Sequence, residues 1–246
     1  MSLTCPSLIG EFAPGLCRAI DVYCERTSPA FFAEPVNALT NLAYLVAAFA
    51  AWRLEVSRPN PAARVLIAAL VWSTVAVGTG SALFHTIATS WASWADVFPI
   101  LAFMLVFLWI TVSRFLAWPA WPSAITVAAF IGLTFSLEAF VPETVLWGGA
   151  YATPTLFVMV GAGIALKMRR SPAANALLAA AGLFVLSFTF RTLDMPLCAR
   201  LPFGTHFMWH LLNATLLFLL TRAAILYAPP PARPRGGLHP AAVHAR

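Results

Sequence analysis

The chain has 246 residues, of which 61% are hydrophobic and only 10% are charged, and its mean hydropathy is +0.82. Soluble globular domains carry about 25% charged residues. The composition therefore excludes an ordinary soluble protein and indicates a polytopic membrane protein. The net charge of +6 accompanies no nucleic-acid-binding motif, so we expect no nucleic-acid partner and attribute the charge to membrane topology.

Seven segments are long and apolar enough to cross a bilayer, which requires roughly 20 apolar residues. The predicted fold is an all-α, seven-transmembrane helix bundle. No signal peptide precedes the first span, which we expect to direct insertion. The predicted spans are 36–54, 64–87, 97–116, 122–141, 147–166, 173–193 and 205–227. The domain division is an extracytoplasmic segment at 1–35, a membrane domain at 36–227 and a disordered cytoplasmic tail at 228–246.

Orientation follows from the Lys and Arg residues, because short loops rich in these residues stay in the cytoplasm. With seven spans, the N-terminus shares one face with the loops after the second, fourth and sixth spans. That face carries four of the 15 Lys and Arg residues, and the opposite face carries the other eleven. We therefore expect the N-terminus to lie outside and the C-terminus to lie in the cytoplasm.

All four cysteines fall on the predicted outer face, where an oxidising compartment permits disulfides. They are Cys5, Cys17, Cys24 and Cys198. Four cysteines allow three pairings. We favour Cys24 with Cys198, which would tie the N-terminal segment to the loop after the sixth span, and Cys5 with Cys17. Free apolar thiols are the alternative.

Three histidines lie in or beside the predicted spans, where polar side chains are costly and tend to be functional. His206 and His210 are four residues apart and share one helix face. His85 ends the second span at the outer face, where the seventh span begins. Three imidazoles with an open fourth position are typical of a catalytic zinc site, which makes a bound water acidic. The sequence therefore predicts Zn²⁺ bound by His85, His206 and His210.

Ser81 and Asp96 lie on either side of His85 in the stretch "GSALFHTIATSWASWADVFP". Ser81 is four residues before His85 on the same side of the second span, and Asp96 begins the third span at the same face. A carboxylate there can transfer the proton of an attacking water, and a hydroxyl can hydrogen-bond an oxyanion. The structural alternatives are a helix-packing histidine, a serine bonded to its own backbone and an aspartate that caps the third span.

The order and spacing of these polar residues form two motifs. The motifs are Ser81-x3-His85-x10-Asp96-x2-Pro99 and, downstream, His206-x3-His210 with Trp209 before the second histidine. Over residues 21–227 the chain resembles the alkaline ceramidase family, part of the CREST group of seven-span hydrolases that includes the adiponectin receptors. The resemblance implies that three histidines bind zinc, that Asp96 and Ser81 flank the metal water, and that ceramide is cleaved to a sphingoid base and a fatty acid.

The stretch "DVYCERTSPAFFAEPVN" is similar to the acidic N-terminal segment that binds calcium in that family. The matching positions are Asp21, Cys24-Glu25 and Glu34-x-x-Asn37. Calcium takes several oxygen ligands, so these residue types suit it. Two residues separate Asp21 from Cys24, where the family usually has one aromatic residue, and the interval from Glu25 to Glu34 is short. The resemblance implies a possible calcium site at Asp21, Glu25, Glu34 and Asn37, with a purely structural acidic loop as the alternative.

The end of the sixth span contains one more matching feature. Asp194 and Cys198 in "RTLDMPLC" are similar to the end of that span in the family. Arg191 and Asp194 are three residues apart, so an ion pair between them is the alternative.

The resemblance implies a multi-pass membrane enzyme of sphingolipid metabolism, with its active site near the extracytoplasmic face. We expect a ceramide-like lipid as substrate and a lipid cavity among the second, third and seventh spans. The alternatives are a receptor-like or regulatory bundle with a structural zinc, and a haem carrier that uses His85 with His206 or His210. A further alternative is a rhomboid-like serine protease with Ser81 as its nucleophile, but that mechanism does not account for the three histidines. The sequence sets no oligomeric state.

Overall fold

A computed structural model describes residues 6–142, 149 and 151–231, and this part of the chain contains helices but no β-strand. This confirms the predicted all-α class. A 3₁₀ turn at Pro14–Cys17 follows the first helix, and a π-helical turn at Thr111–Phe115 extends the fifth. The helices are α1 (Ser7–Phe12), α2 (Pro35–Thr40), α3 (Leu42–Ser57), α4 (Arg64–Ile87), α5 (Ser90–Ile110), α6 (Ala120–Phe140), α7 (Ala152–Met168), α8 (Ala173–Leu197) and α9 (His206–Tyr227).

Six helical segments of the described chain are long and apolar enough to cross a membrane, where the sequence predicts seven. The six are Pro35–Ser57, Arg64–Ile87, Ser90–Phe115, Ala120–Phe140, Ala173–Leu197 and His206–Tyr227. The seventh candidate is α7, a shorter apolar helix of 17 residues. The first residues of the predicted span 147–166 lie partly outside the described residues, and most of the predicted tail 228–246 lies outside them.

Residues at both ends of helix α7 contact neighbouring segments. At its start the backbone N–H of Tyr151 donates to Glu138 Oε1 at 2.9 Å, near the end of α6. Just past its end, the Arg169 guanidinium donates to the Leu116 carbonyl at 2.9 Å, beyond the end of α5. A helix of this length rises about 25 Å. Helix α7 therefore extends between the levels at which its neighbouring helices end.

The third span begins earlier than the predicted 97–116, because α5 starts at Ser90 with Thr89 as its N-cap. The first turns of α5 are too polar to stand out by hydropathy. They are nevertheless packed, since Ala92 is fully buried in a cluster with residues of α4. Asp96 consequently lies inside α5, and the interpretation of Asp96 as a cap of this span is wrong.

Helix α9 is the centre of the bundle and α6 lies at its edge. In an apolar stretch of 18 residues, 61% of α9 is buried inside the protein, whereas only 17% of the corresponding stretch of α6 is buried. A helix surrounded by other helices can carry polar side chains at membrane depth, because they face protein instead of lipid. This central position explains why α9 can carry two histidines.

Candidate metal centre and active site

Three buried imidazoles converge at one end of the bundle. The side chains of His85, His206 and His210 each offer a nitrogen, and these nitrogens lie within 4.8 Å of one another. On each ring one nitrogen is buried without a hydrogen-bond partner, namely Nε2 of His85, Nδ1 of His206 and Nε2 of His210. An unsatisfied buried polar atom is costly, about 1–3 kcal/mol. Three of them directed at one point fit a bound metal ion, as the sequence predicts.

The arrangement of the rings indicates the kind of metal site. The ring centroids are separated by 5.1 Å (His85–His206), 4.8 Å (His85–His210) and 4.7 Å (His206–His210). A haem iron offers axial positions only on opposite faces of a wide macrocycle. Three nitrogens within 4.8 Å of one another can instead bind one ion together, and three imidazoles are a donor set that zinc takes in tetrahedral sites. The donor set therefore fits zinc and does not favour the haem alternative.

The second nitrogen of two imidazoles is held by the protein. His85 Nδ1 lies 2.5 Å from Glu34 Oε2, and His210 Nδ1 lies 2.9 Å from Thr40 Oγ1. Partners of this kind fix the tautomer and orientation of metal-binding histidines. Burial alone would raise the pKa of Glu34, but its hydrogen bonds and charge interactions with His85 and Arg26 outweigh burial and lower it. Sequence reasoning assigned Glu34 to calcium and missed Thr40.

Asp194 fixes the start of α9 and hence its histidines. Its buried carboxylate accepts hydrogen bonds from the backbone N–H groups of Cys24 (2.8 Å), Thr205 (2.6 Å) and His206 (2.8 Å). Gly204, at φ +62°, makes room for it, since a Cβ there would overlap Asp194 Oδ1. Asp194 thus acts as an anchor for the helix N-terminus, where a carboxylate is stabilising.

A disulfide joins Cys24 to Cys198, with a Cα–Cα distance of 5.4 Å. This confirms the predicted pairing and ties the N-terminal segment to the residue that follows α8. The companion prediction, Cys5 with Cys17, involves a residue that lies outside the described part of the chain. Nearby, the Arg191 guanidinium lies 5.7 Å from the centroid of the Phe188 ring, and the contacts of Asp194 described above are to backbone amides.

Ser81 and Asp96 lie beside the histidine cluster. The Ser81 side chain lies near the Asp96 carboxylate, whose charge interacts with His85. Elsewhere on α4, the hydroxyls of Thr79 and Thr86 donate to carbonyls of their own helix. The backbone-bonded arrangement considered for Ser81 is thus observed at Thr79 and Thr86, whereas Ser81 is near Asp96.

Gly80 permits this approach of α4 to α5. A Cβ at Gly80 would overlap the Ala95 carbonyl oxygen, which is a backbone atom that cannot move aside without shifting the helix. The two helices therefore touch backbone to backbone between Ser81 and Asp96. Small residues at such crossings are typical of packed membrane helices. The "GTGSA" stretch contains this signal, and sequence reasoning attached no packing role to it.

The predicted calcium ligands are arranged around protein donors. Both carboxylate oxygens of Glu25 accept backbone N–H groups, from Val36 at 2.7 Å and Asn37 at 2.8 Å. Asp21 is exposed, and Asn37 keeps one buried oxygen without a partner. Calcium takes six to eight oxygen ligands. One free amide oxygen does not make a calcium site, so these donors do not fit the ion as they stand, and calcium binding stays a prediction.

Tyr23 packs the N-terminal segment against the end of the bundle that holds His85, His206 and His210, here called the metal end. Its ring stacks on His206 with centroids 3.7 Å apart and lies 5.2 Å from His85. Burial raises the pKa of the Tyr23 phenol above its ordinary value, so the side chain is neutral. The segment is held there by backbone bonds, such as Ile20 N–H to the Ala88 carbonyl at 2.8 Å. It therefore covers the histidine cluster from outside the bundle.

An apolar cavity lies inward of the cluster. It is lined by residues of α5 to α9 and of the turn at the end of α5, among them Phe103, Tyr151, Trp209 and Asn213. Trp209 precedes His210, and Asn213 is one helical turn further along α9. This cavity has residues of the third and seventh predicted spans in its lining, as expected, but no residue of α4. The close contact of α4 with α5 at Gly80 fills the space between those two helices.

Two comparisons with known proteins bear on the whole arrangement. No curated protein matches the chain in sequence. The sequence model of the Ceramidase family matches residues 21–228, a range that contains the three histidines, Ser81 and Asp96. The match covers most of the chain and agrees with the order of the motifs, and the chain belongs to the ceramidase family.

Proposed function

We propose that this protein hydrolyses the amide bond of a ceramide-like lipid and that His85, His206 and His210 hold the zinc ion that the reaction needs. The observation that carries the proposal is the convergence of three buried imidazole nitrogens, none with a protein partner. Membership of the ceramidase family supports a hydrolase that acts on a lipid amide.

In this proposal the metal ion and the residues beside the cluster have separate catalytic roles. Zinc bound there would supply a water of lowered pKa and polarise the amide carbonyl. Asp96 accepts a proton from the attacking water and returns it to the amide nitrogen, as a general base and then a general acid. A C–O bond forms, the C–N bond breaks, and the products are a fatty acid and a free amine.

Ser81 has a different role in this proposal. Its hydroxyl lies near the Asp96 carboxylate, beside the histidine cluster. Once a substrate carbonyl enters, the hydroxyl can donate to the oxygen on which negative charge develops. Because Ser81 lies four residues before His85 on α4, the donor and one metal ligand come from the same helix face.

The apolar cavity supports a lipid chain as part of the substrate. Its described lining is dominated by Phe, Leu and Met side chains, with Thr111, Thr155 and Asn213 as polar members. Lipid chains bury apolar area at about 25 cal/mol per Å². We therefore assign the acyl chain to this cavity, with the amide group at the histidines.

We also propose that α7 is the seventh crossing and that the metal end faces the extracytoplasmic side. With seven crossings the Lys and Arg residues lie mostly at the opposite end. The disulfide between Cys24 and Cys198 is at the metal end, and disulfides persist in oxidising compartments. The disulfide and the charge distribution therefore support the same orientation independently.

The test is turnover by purified protein on a panel of lipid amides. Ceramides of several acyl lengths, an N-acyl ethanolamine and a matched ester are incubated with zinc-loaded protein, and released fatty acid is measured. His85→Ala protein, purified in the same way, is the control. The proposal expects fatty acid and sphingoid base in equal amounts from ceramide. Zinc bound in stoichiometric amount without release from any amide would instead support the receptor-like alternative with a structural zinc.

A further inference from the structure

Arg26 is a buried cation surrounded by oxygen atoms. Its side chain is 3% exposed, and its Nε donates to Glu34 Oε1 at 2.5 Å. The terminal nitrogens donate to the carbonyl oxygens of Ser28 and Ala30, both at 3.3 Å, and of His85 at 3.1 Å. One carboxylate and three carbonyls around a single positive charge are the oxygen types that a hard metal cation attracts.

Three of these four oxygens, those of Glu34, Ser28 and Ala30, belong to the segment for which the family resemblance implies calcium. Glu34, an expected ligand, has one oxygen on Arg26 and the other on His85. Glu25, another expected ligand, already accepts two backbone N–H groups. A divalent cation placed among these groups would meet the guanidinium at close range in a buried setting, where like charges repel strongly.

We propose that the Arg26 guanidinium takes the place of calcium in this protein, as a cation built into the chain, and that the segment 21–37 neither binds nor needs the ion. Arg26 supplies the positive charge that neutralises Glu34. It also joins the carbonyls of 28 and 30 to the carbonyl of His85 at the end of α4. The N-terminal segment is thereby locked onto the metal end without an external ligand.

This lock acts on the metal centre through Glu34. The carboxylate lies between the Arg26 guanidinium and His85 Nδ1, and His85 presents its other nitrogen to the cluster. Arg26 is therefore a positioning residue, two contacts away from the His85 ring that would bind the ion. Removing the direct partner of a metal-binding histidine typically weakens metal affinity by about 10–100-fold, and we take this range as the upper limit for Arg26, which acts through Glu34.

The first experiment measures calcium in the wild-type protein. Purified protein is equilibrated with millimolar calcium or magnesium, separated from free ion, and analysed for metal content, and its thermal unfolding is followed in each buffer. We expect no retained calcium and the same melting temperature in both. One retained calcium per chain, or a melting temperature raised by calcium alone, would overturn the proposal.

The second experiment measures zinc affinity by competition with a chromophoric chelator. Arg26→Gln should lose affinity by up to about 10–100-fold, whereas Arg26→Lys, which keeps the charge, should lose less. Arg18→Gln, a change at an exposed arginine just before this segment, should leave the affinity unchanged. Equal affinities in wild type and Arg26→Gln would overturn the positioning role. Only this second experiment rests on the proposed zinc site. The calcium measurement tests whether Arg26 takes the place of calcium, and its result does not depend on whether the protein hydrolyses a lipid.

Discussion

Helix α9 begins and ends among buried polar groups, and the two ends treat them differently. At its start, His206 and His210 lie beside His85, and one nitrogen of each of these three rings has no hydrogen-bond partner. At its end, the Asn60 side-chain amide donates to the carbonyls of Ala224, Ile225 and Ala228 at 3.4, 3.2 and 3.0 Å. Polar groups that form hydrogen bonds with other protein groups stabilise the helix end. Polar groups that converge without partners are available to a ligand.

Single buried polar atoms without a partner occur elsewhere in the described chain, and they do not alter this contrast. Thr134 Oγ1 on α6 and Glu55 Oε2 on α3 are examples. Neither belongs to a group of metal-binding side chains, whereas the histidines form the one such group found among the described residues. Convergence, and not the mere absence of a partner, distinguishes the metal end.

The largest effect is expected from removal of one imidazole. His85→Ala, His206→Ala and His210→Ala should each lose most bound zinc and essentially all lipid-amide hydrolysis, because three ligands leave none to spare. Metal analysis of each purified variant, with turnover in parallel, makes the test. His239→Ala, a change in the part of the chain outside the described residues, is the matched control. Near-full zinc occupancy in any of the three variants would remove that residue from the ligand set.

Asp96→Asn separates chemistry from metal binding and should have the next largest effect. The variant should keep its zinc, since Asp96 is not among the three ligands, but an amide cannot accept a proton from the attacking water. A general base contributes typically about 10²–10⁴-fold, and turnover should fall by that factor. The control is Glu11→Gln, at an exposed carboxylate. Near-normal hydrolysis at full zinc occupancy would end the assignment of Asp96 as the base.

Ser81→Ala should retain zinc and lose less activity than Asp96→Asn. One oxyanion donor is typically worth about 10²–10³-fold in turnover, which we take as the upper limit here. Ser136→Ala removes an exposed hydroxyl that bonds only a carbonyl of its own helix, and it should have no effect. If Ser81→Ala turns over at the wild-type rate, the hydroxyl serves only to orient Asp96.

Much of the metal end could be predicted because its chemistry depends on residue types that are rare in lipid. Three histidines at corresponding depth, two of them four residues apart, predict the cluster from the sequence alone. The predicted Cys24–Cys198 disulfide is confirmed for the same reason, since both cysteines fall on one face. Sparse polar residues in an apolar chain have few structural uses, so their positions carry much information.

The parts that could not be predicted depend on contacts between segments far apart in sequence. In the sequence Arg26 is one more basic residue of a loop, and only the fold reveals that it is buried against Glu34 and the end of α4. The start of α5 at Ser90 was missed because its first turns are polar, yet they pack against α4. Hydropathy measures affinity for lipid, and these residues are buried by protein.

Gly80→Ala tests whether close packing of α4 and α5 supports the active end. The added methyl would meet the Ala95 backbone oxygen, and overpacking of this kind costs about 1–3 kcal/mol. We expect lower thermal stability in detergent and a loss of turnover smaller than that of Ser81→Ala, with zinc retained. Gly132→Ala, at a helical glycine with open space around it, should be neutral. Unchanged stability of Gly80→Ala would mean that the helices can separate without affecting the site.

The smallest effect is expected at the other end of α9. Asn60→Ala removes the amide that bonds the last carbonyls of the helix, and one such bond contributes about 0.5–1.5 kcal/mol. The variant should be less stable to thermal unfolding by about that amount, since water can replace part of the lost interaction at a half-buried site. Zinc content and turnover should stay at the wild-type values, because the metal end keeps its own anchor at Asp194. Asn175→Ala, at an exposed asparagine that pairs with Lys167, is the matched control. A loss of zinc in Asn60→Ala protein would show that the two ends of α9 are coupled, and the contrast between a structural end and a ligand-binding end would fail.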